Sequence, residues 1–271
     1  MIRFFTLLAL LSSTAVWSLP QEHRVPGGIA LITLPSLPEK ARLTLNGHPV
    51  WTQPAANGEH IAIVGIPLTA TAGTLVLQLD APSGSQSIDI PVSTKDYPEQ
   101  RISLPTQEHV TPSEANLARY AREASEQQAV YTHFRSSPGG WPLFVAPTQG
   151  PYSSPFGLRR FFNNEPRAPH AGLDIAAPEG QAVTAPASGV IAQTGDYFFN
   201  GRTVMIDHGN GLISMLCHLR DIRVQPGQPV TQGTIIGTVG QTGRATGPHL
   251  HWTVSLNNAR IDPLLLLPVA P

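Results

Sequence analysis

Gly180-Gln181-Ala182-Val183-Thr184 and Gly227-Gln228-Pro229-Val230-Thr231 are two versions of one short stretch. The first continues into the apolar segment Gly189-Val190-Ile191, the second into Thr234-Ile235-Ile236-Gly237. Glycine permits the turns and β-branched residues favour extended backbone. A strand–turn–strand unit used twice predicts a compact sandwich of two similar halves, and two copies are too few for a solenoid.

The same texture of short β segments punctuated by glycine begins at about Trp141. Before it, Thr111-Pro112-Ser113-Glu114 reads as a capping box with proline at the first helical position. Ala115 to Phe134 follows with Leu117, Tyr120, Ala121 and Ala124 at helical spacing, and Ser136-Ser137-Pro138-Gly139-Gly140 ends it. Residues from about 25 to 105 show alternating apolar positions, as in Ile29 to Leu34, Ile61 to Val64 and Thr74 to Leu79. Asn46-Gly47 suits a two-residue hairpin turn, because both residues tolerate positive φ. Short strands with regular turn signals predict an immunoglobulin-like β-sandwich. The expected organisation is therefore a leader over 1–18, a β-sandwich domain over 19–105, a helical connector over 106–140 and a second β-domain over 141–271.

Composition narrows the function. Of 271 residues, 41% are hydrophobic and 13% charged, enough apolar material for packed cores, and the net charge of -1 offers no basic field for nucleic acid. The 24 glycines and 27 prolines favour a mainly β protein. Arg3, the apolar run Phe4 to Leu11 and the small residues to Ser18 read as a secretory signal with a cut near Ser18–Leu19. The run is shorter than the roughly 18 residues a span needs, so no stable membrane anchor is expected after cleavage. The single cysteine, Cys217, excludes an intramolecular disulfide and sits in an apolar run as a buried, inert thiol. Nothing in the sequence indicates an oligomeric state.

The second half of the chain holds His170, His208, His218, His249 and His251, five of the ten histidines. His249 and His251 open the strand-like run His249 to Leu256, and residues two apart on a strand share a face. His170 and Asp174 would lie ~13 Å apart in an extended strand, but a bend at Gly172 brings together an imidazole and a carboxylate, both zinc-type ligands. His218 ends the apolar run from Leu212. A catalytic zinc site takes three protein ligands and leaves one position open. His170, Asp174, His249 and His251 offer four, and these spacings do not say which is the extra one. His208, in Asp207-His208-Gly209-Asn210-Gly211, reads as a turn residue. Arg159 and Arg244 are candidates for a substrate carboxylate, with solvated surface arginine as the alternative.

Four blocks in this order, Ser154 to Arg159, His170 to Asp174, Leu216 to Leu219, and Gly243 to His251, resemble the lysostaphin-like zinc metalloendopeptidases over roughly residues 141 to 268. The resemblance implies a C-terminal antiparallel β-sandwich of the duplicated-hybrid-motif type with a groove over the metal. It implies Zn2+ held by His170, Asp174 and His251. It makes His218 and His249 the catalytic pair, assisting a zinc-bound water against peptide crosslinks of bacterial peptidoglycan. Stem peptides of the wall are then the partner, and the periplasm or cell envelope the expected location. The chain departs from many members at Leu216 (often tyrosine), Ala245 (often serine) and Thr253 (often glutamate), none of them a ligand position. No His-Glu-x-x-His helix is present, so histidine must handle the protons. The alternative is a metal-free member that binds and activates another wall hydrolase; such members lose ligands, and here all three stand. A biotinyl or lipoyl carrier needs a turn lysine, and the last lysine is Lys95.

Overall fold

The computed structural model of the chain describes residues 19–103, 108 and 111–268. The expected leader, 1–18, lies outside the described residues. Among those residues, no helix is long and apolar enough to cross a membrane.

The first unit is a two-sheet sandwich. One sheet orders Ile29–Leu34, His60–Gly65 and Trp51–Pro54, all antiparallel. The other orders His48–Pro49, Arg42–Leu45, Gly73–Ala81 and Gly84–Val92. Asn46 and Gly47 turn the hairpin at φ 52° and 79°, the left-handed backbone that this dipeptide accepts at least cost. Strand alternation divides the three-stranded sheet between two cores. Ala30, Ala62 and Val64 face the four-stranded sheet beside Leu45, Leu77 and Ile90. Their neighbours Ile29, Ile63 and Trp51 join the core of the second unit. Asn257 fastens the same junction, accepting from Gly65 N at 2.7 Å and donating to Gly65 O at 3.1 Å.

The helix runs Glu114–Thr132, two residues later than a start at Pro112 would place it. Ser113, not Thr111, is its cap: extended at φ -61°, ψ 161°, its hydroxyl accepts from Asn116 N. Glu108 accepts from Ser113 N and from the Asn116 side chain, which competes with a cap at Thr111. The helix lies on the second unit. Tyr131 packs with Met205, Ile213, Met215 and Cys217, and Glu123 accepts from Phe198 N at 2.8 Å.

The second unit is dominated by a ten-stranded sheet whose main path is Pro229–Val230, Gly189–Tyr197, Gly201–Gly209, Leu212–Ile222, His249–Leu256, Leu173–Ala176 and Tyr152–Ser154. The two repeats exchange strands. Ala182–Thr184 of the first pairs with Ile235–Val239 of the second, and Pro229–Val230 of the second pairs with Gly189–Val190 of the first. Each half thus completes the other, around Leu173, Ile175, Leu216, Leu250, Trp252 and Val254. A third small sheet joins the units: Glu99–Ile102, from the segment between sandwich and helix, runs parallel to Arg159–Phe162.

Candidate metal centre and catalytic groove

The central strands supply the site by register. Asp174 stands opposite His251, and His251 opposite Cys217 on the next strand. Directly paired residues project to the same face. On these strands one face carries Leu173, Ile175, Leu250 and Trp252 into the core, so Asp174, His249 and His251 emerge on the other.

His170 arrives from the preceding loop, held through three bonds. Its N–H donates to Leu158 O, its carbonyl accepts from Gly157 N, and its Nδ1 donates to Pro155 O at 2.8 Å. The block Ser154 to Arg159 is thus a cradle for the ring. A carbonyl only accepts, so Nδ1 carries the hydrogen and Nε2 offers a lone pair. That Nε2 is 3.0 Å from Asp174 Oδ1 and 3.0 Å from His251 Nδ1, while His251 Nδ1 is 2.7 Å from the same oxygen. Three ligands around tetrahedral zinc at ordinary bond lengths stand about 3.3 Å apart. The triangle fits such an ion after a small expansion, and its two nitrogens and one oxygen are zinc-type donors. Among the described residues it is the one His/Cys/Asp/Glu group with metal-binding geometry.

Gly172 is needed for space rather than for an unusual dihedral angle. A Cβ there would lie 2.7 Å from both His251 Cε1 and Trp252 O. Burial alone would raise the Asp174 pKa, but the adjoining His170 and His251 rings outweigh it and hold the carboxyl well below its usual range. Burial pushes His251 down to about 4. On its far side, His251 Nε2 is 2.9 Å from Thr253 Oγ1, so threonine orients the ring.

His218 reaches the groove through a break in its strand. Leu212 and Leu216 face the core while Ile213, Met215 and Cys217 face the helix. Continued alternation would turn His218 inward. Instead its φ is 63°, the ladder slips between Arg202 and Val204, and Leu219 takes the inward place. This is a β-bulge that re-aims one side chain. His218 Nδ1 donates to Thr242 O at 2.8 Å and His249 Nδ1 to Gly247 O at 2.8 Å. Both Nε2 atoms are therefore acceptors in the neutral rings. The two rings lie 4.8 Å apart, and His249 Nε2 is 4.0 Å from Asp174 Oδ1. Burial, then the neighbouring His249 and His251, pushes His218 down to about 3.

The five residues line one cavity of about 420 Å³. His208 is elsewhere, and it is a buried strand residue rather than a turn residue. Its ring bonds Ser188 O and Ser214 Oγ, because the strand continues to Gly209 and the turn falls on Asn210-Gly211. Cys217 is fully buried, its thiol pushed up to about 12 by burial. Arg159 points to solvent beside Glu99. Arg244 lines the cavity with its guanidinium over the Phe162 and Phe199 rings. Arg160, which no motif marks, donates from Nη2 to Asp174 Oδ2 at 3.0 Å. The available signal was alternation: of two adjacent arginines on a strand, one faces outward and the other inward.

The family model for peptidase family M23 matches residues 168–263, and that for the M23 N-terminal domain matches residues 22–95. The chain is 40% identical to an M23-family protein of Pseudomonas aeruginosa of known crystal structure, covering 91% of this chain and 96% of that one with a TM-score of 0.76. It is 42% identical over 112 residues to the DD-carboxypeptidase/endopeptidase Mpg of Neisseria meningitidis, 41% of this chain and 26% of that protein. It is 40% identical over 111 residues to the peptidoglycan DD-endopeptidase ShyA of Vibrio cholerae, again 41% of this chain and 26% of that protein. The chain thus spans about a quarter of the length of these curated relatives.

Proposed function

The chain belongs to peptidase family M23, and we propose that it is a zinc-dependent endopeptidase that hydrolyses D,D-peptide crosslinks of peptidoglycan in the cell envelope. The observation that carries this reading is the triangle of His170 Nε2, Asp174 Oδ1 and His251 Nδ1, with two further imidazoles beside it. The names of the Neisseria and Vibrio relatives support the substrate class.

His170, Asp174 and His251 would hold the ion, which when bound polarises a scissile carbonyl and lowers the pKa of water. The protein's own contribution is proton handling. His218 and His249 each present a bare Nε2 to the groove because the opposite nitrogen is committed to a backbone carbonyl. One takes the proton released as water attacks, and the resulting imidazolium donates to the developing oxyanion or the leaving amine. Burial and the neighbouring His249 and His251 keep His218 neutral near neutral pH, with its Nε2 lone pair free.

The test is digestion of purified sacculi by the chelated and the zinc-restored protein, with mass spectrometry of the released fragments. New amino termini without new reducing sugar ends are expected from the zinc-restored sample alone. Zinc-restored protein that leaves the wall intact, yet stimulates a second wall hydrolase, would support the activator reading instead.

A further inference from the structure

Asp174 has two carboxylate oxygens with different surroundings. Oδ1 faces His170 and His251. Oδ2 accepts from Arg160 Nη2 at 3.0 Å, in a pair whose side chains are only 17% and 9% exposed. Arg160 is itself braced. Its Nε donates to Gln100 Oε1 at 3.0 Å, and Gln100 Nε2 donates to Ser154 Oγ at 2.7 Å. Gln100 belongs to the strand between the two domains and pairs in register with Arg160, while Ser154 pairs with Asp174. The chain of contacts therefore runs from the inter-domain strand to the carboxylate and back to the strand beside it.

We propose that Arg160, braced by Gln100 of the inter-domain strand, is a positioning residue that holds Asp174 to coordination through one oxygen. The inference rests on the metal-centre reading above. A carboxylate free to turn binds a cation through one oxygen or both. With Oδ2 engaged by a buried guanidinium, only Oδ1 is available, and the coordination places needed for water and substrate stay open. Arg159 cannot do this, because adjacent strand residues face opposite ways and it is spent on Glu99 and Tyr97 O. Docking of the Glu99–Ile102 strand is in this way part of assembling the site.

The variants Arg160→Lys and Gln100→Ala test it in the full-length protein, since both keep the positive charge and lose the brace. Zinc affinity is measured by competition with a chromophoric chelator, and coordination by the visible spectrum of the cobalt-substituted protein. The expected result is about a 10-fold loss of zinc affinity in each. The cobalt spectrum should also weaken, because two-oxygen binding raises the coordination number. Affinities and spectra indistinguishable from the parent overturn the proposal, and so does a lowered melting temperature with an unchanged spectrum, which marks a structural role alone. A parent protein that takes up neither ion overturns the metal centre itself, and this inference with it.

Discussion

Asp174 stands directly opposite His251 on the neighbouring antiparallel strand, with its Oδ1 2.7 Å from His251 Nδ1. Sheet register thus brings two donors together, and the cradle at Pro155 to Leu158 adds His170. His170→Ala, Asp174→Ala and His251→Ala should each abolish stoichiometric zinc, read by atomic absorption after dialysis. His249→Ala should keep the metal and lose about 10²–10⁴ in turnover. Loss of zinc from His249→Ala would reverse the assignment of roles.

His218 sits at φ 63°, where asparagine is tolerated and a β-branched residue is not. His218→Asn and His218→Val should both lose activity, but chemical denaturation should separate them. The valine variant is expected to be less stable than the asparagine variant by about 1–2 kcal/mol, the cost of a left-handed backbone for a side chain that resists it. Equal stabilities would mean that the bulge relaxes when the imidazole is gone.

Gly172→Ala puts a methyl group 2.7 Å from a backbone carbonyl, Trp252 O, and from the His251 ring. The carbonyl belongs to a central strand and has little room to yield, so the ring must move. A destabilisation of about 1–3 kcal/mol is expected, together with weaker zinc binding. Thermal melts with and without zinc give both numbers, and an alanine variant with parental zinc affinity would show that the ring has space to retreat.

His208 offers a pH signature separate from the metal. Burial lowers its pKa to about 4, and the bond to Ser188 O offsets this only in part. In the unfolded chain the group titrates near its ordinary value of ~6.5. Between these values the unfolded state binds more protons, so stability is full above pH ~6.5 and falls as pH drops toward 4, by about 3 kcal/mol in all. In chelated protein, urea unfolding at about pH 7.5 and about pH 4 should show the parent losing that much more than His208→Gln. Parallel losses would assign the acid sensitivity to other groups.

Much of this protein was legible in the sequence because the relevant signals are local. Asn46-Gly47 marks its hairpin through allowed dihedral angles, and period-two alternation marks the strands. The repeat of Gly180-Gln181 at Gly227-Gln228 announces two similar halves, and the residue types in the four blocks define the chemistry on offer. The helix was legible, while its cap shifted to Ser113 because Glu108 competes for the same donors. What required tertiary structure depends on partners distant along the chain. The halves exchange strands, which no local pattern encodes. Alternation carried on from Leu212 would turn His218 into the core, and only its positive φ and the inward turn of Leu219 reveal the bulge that sends it to the groove. The part played by Arg160 emerges only when the inter-domain strand and Asp174 are seen on either side of it. Sequence specifies which groups exist and, where alternation runs unbroken, which face of a strand they occupy. Only the folded chain sets which groups meet, because register and strand order are decided by the packing of the whole core.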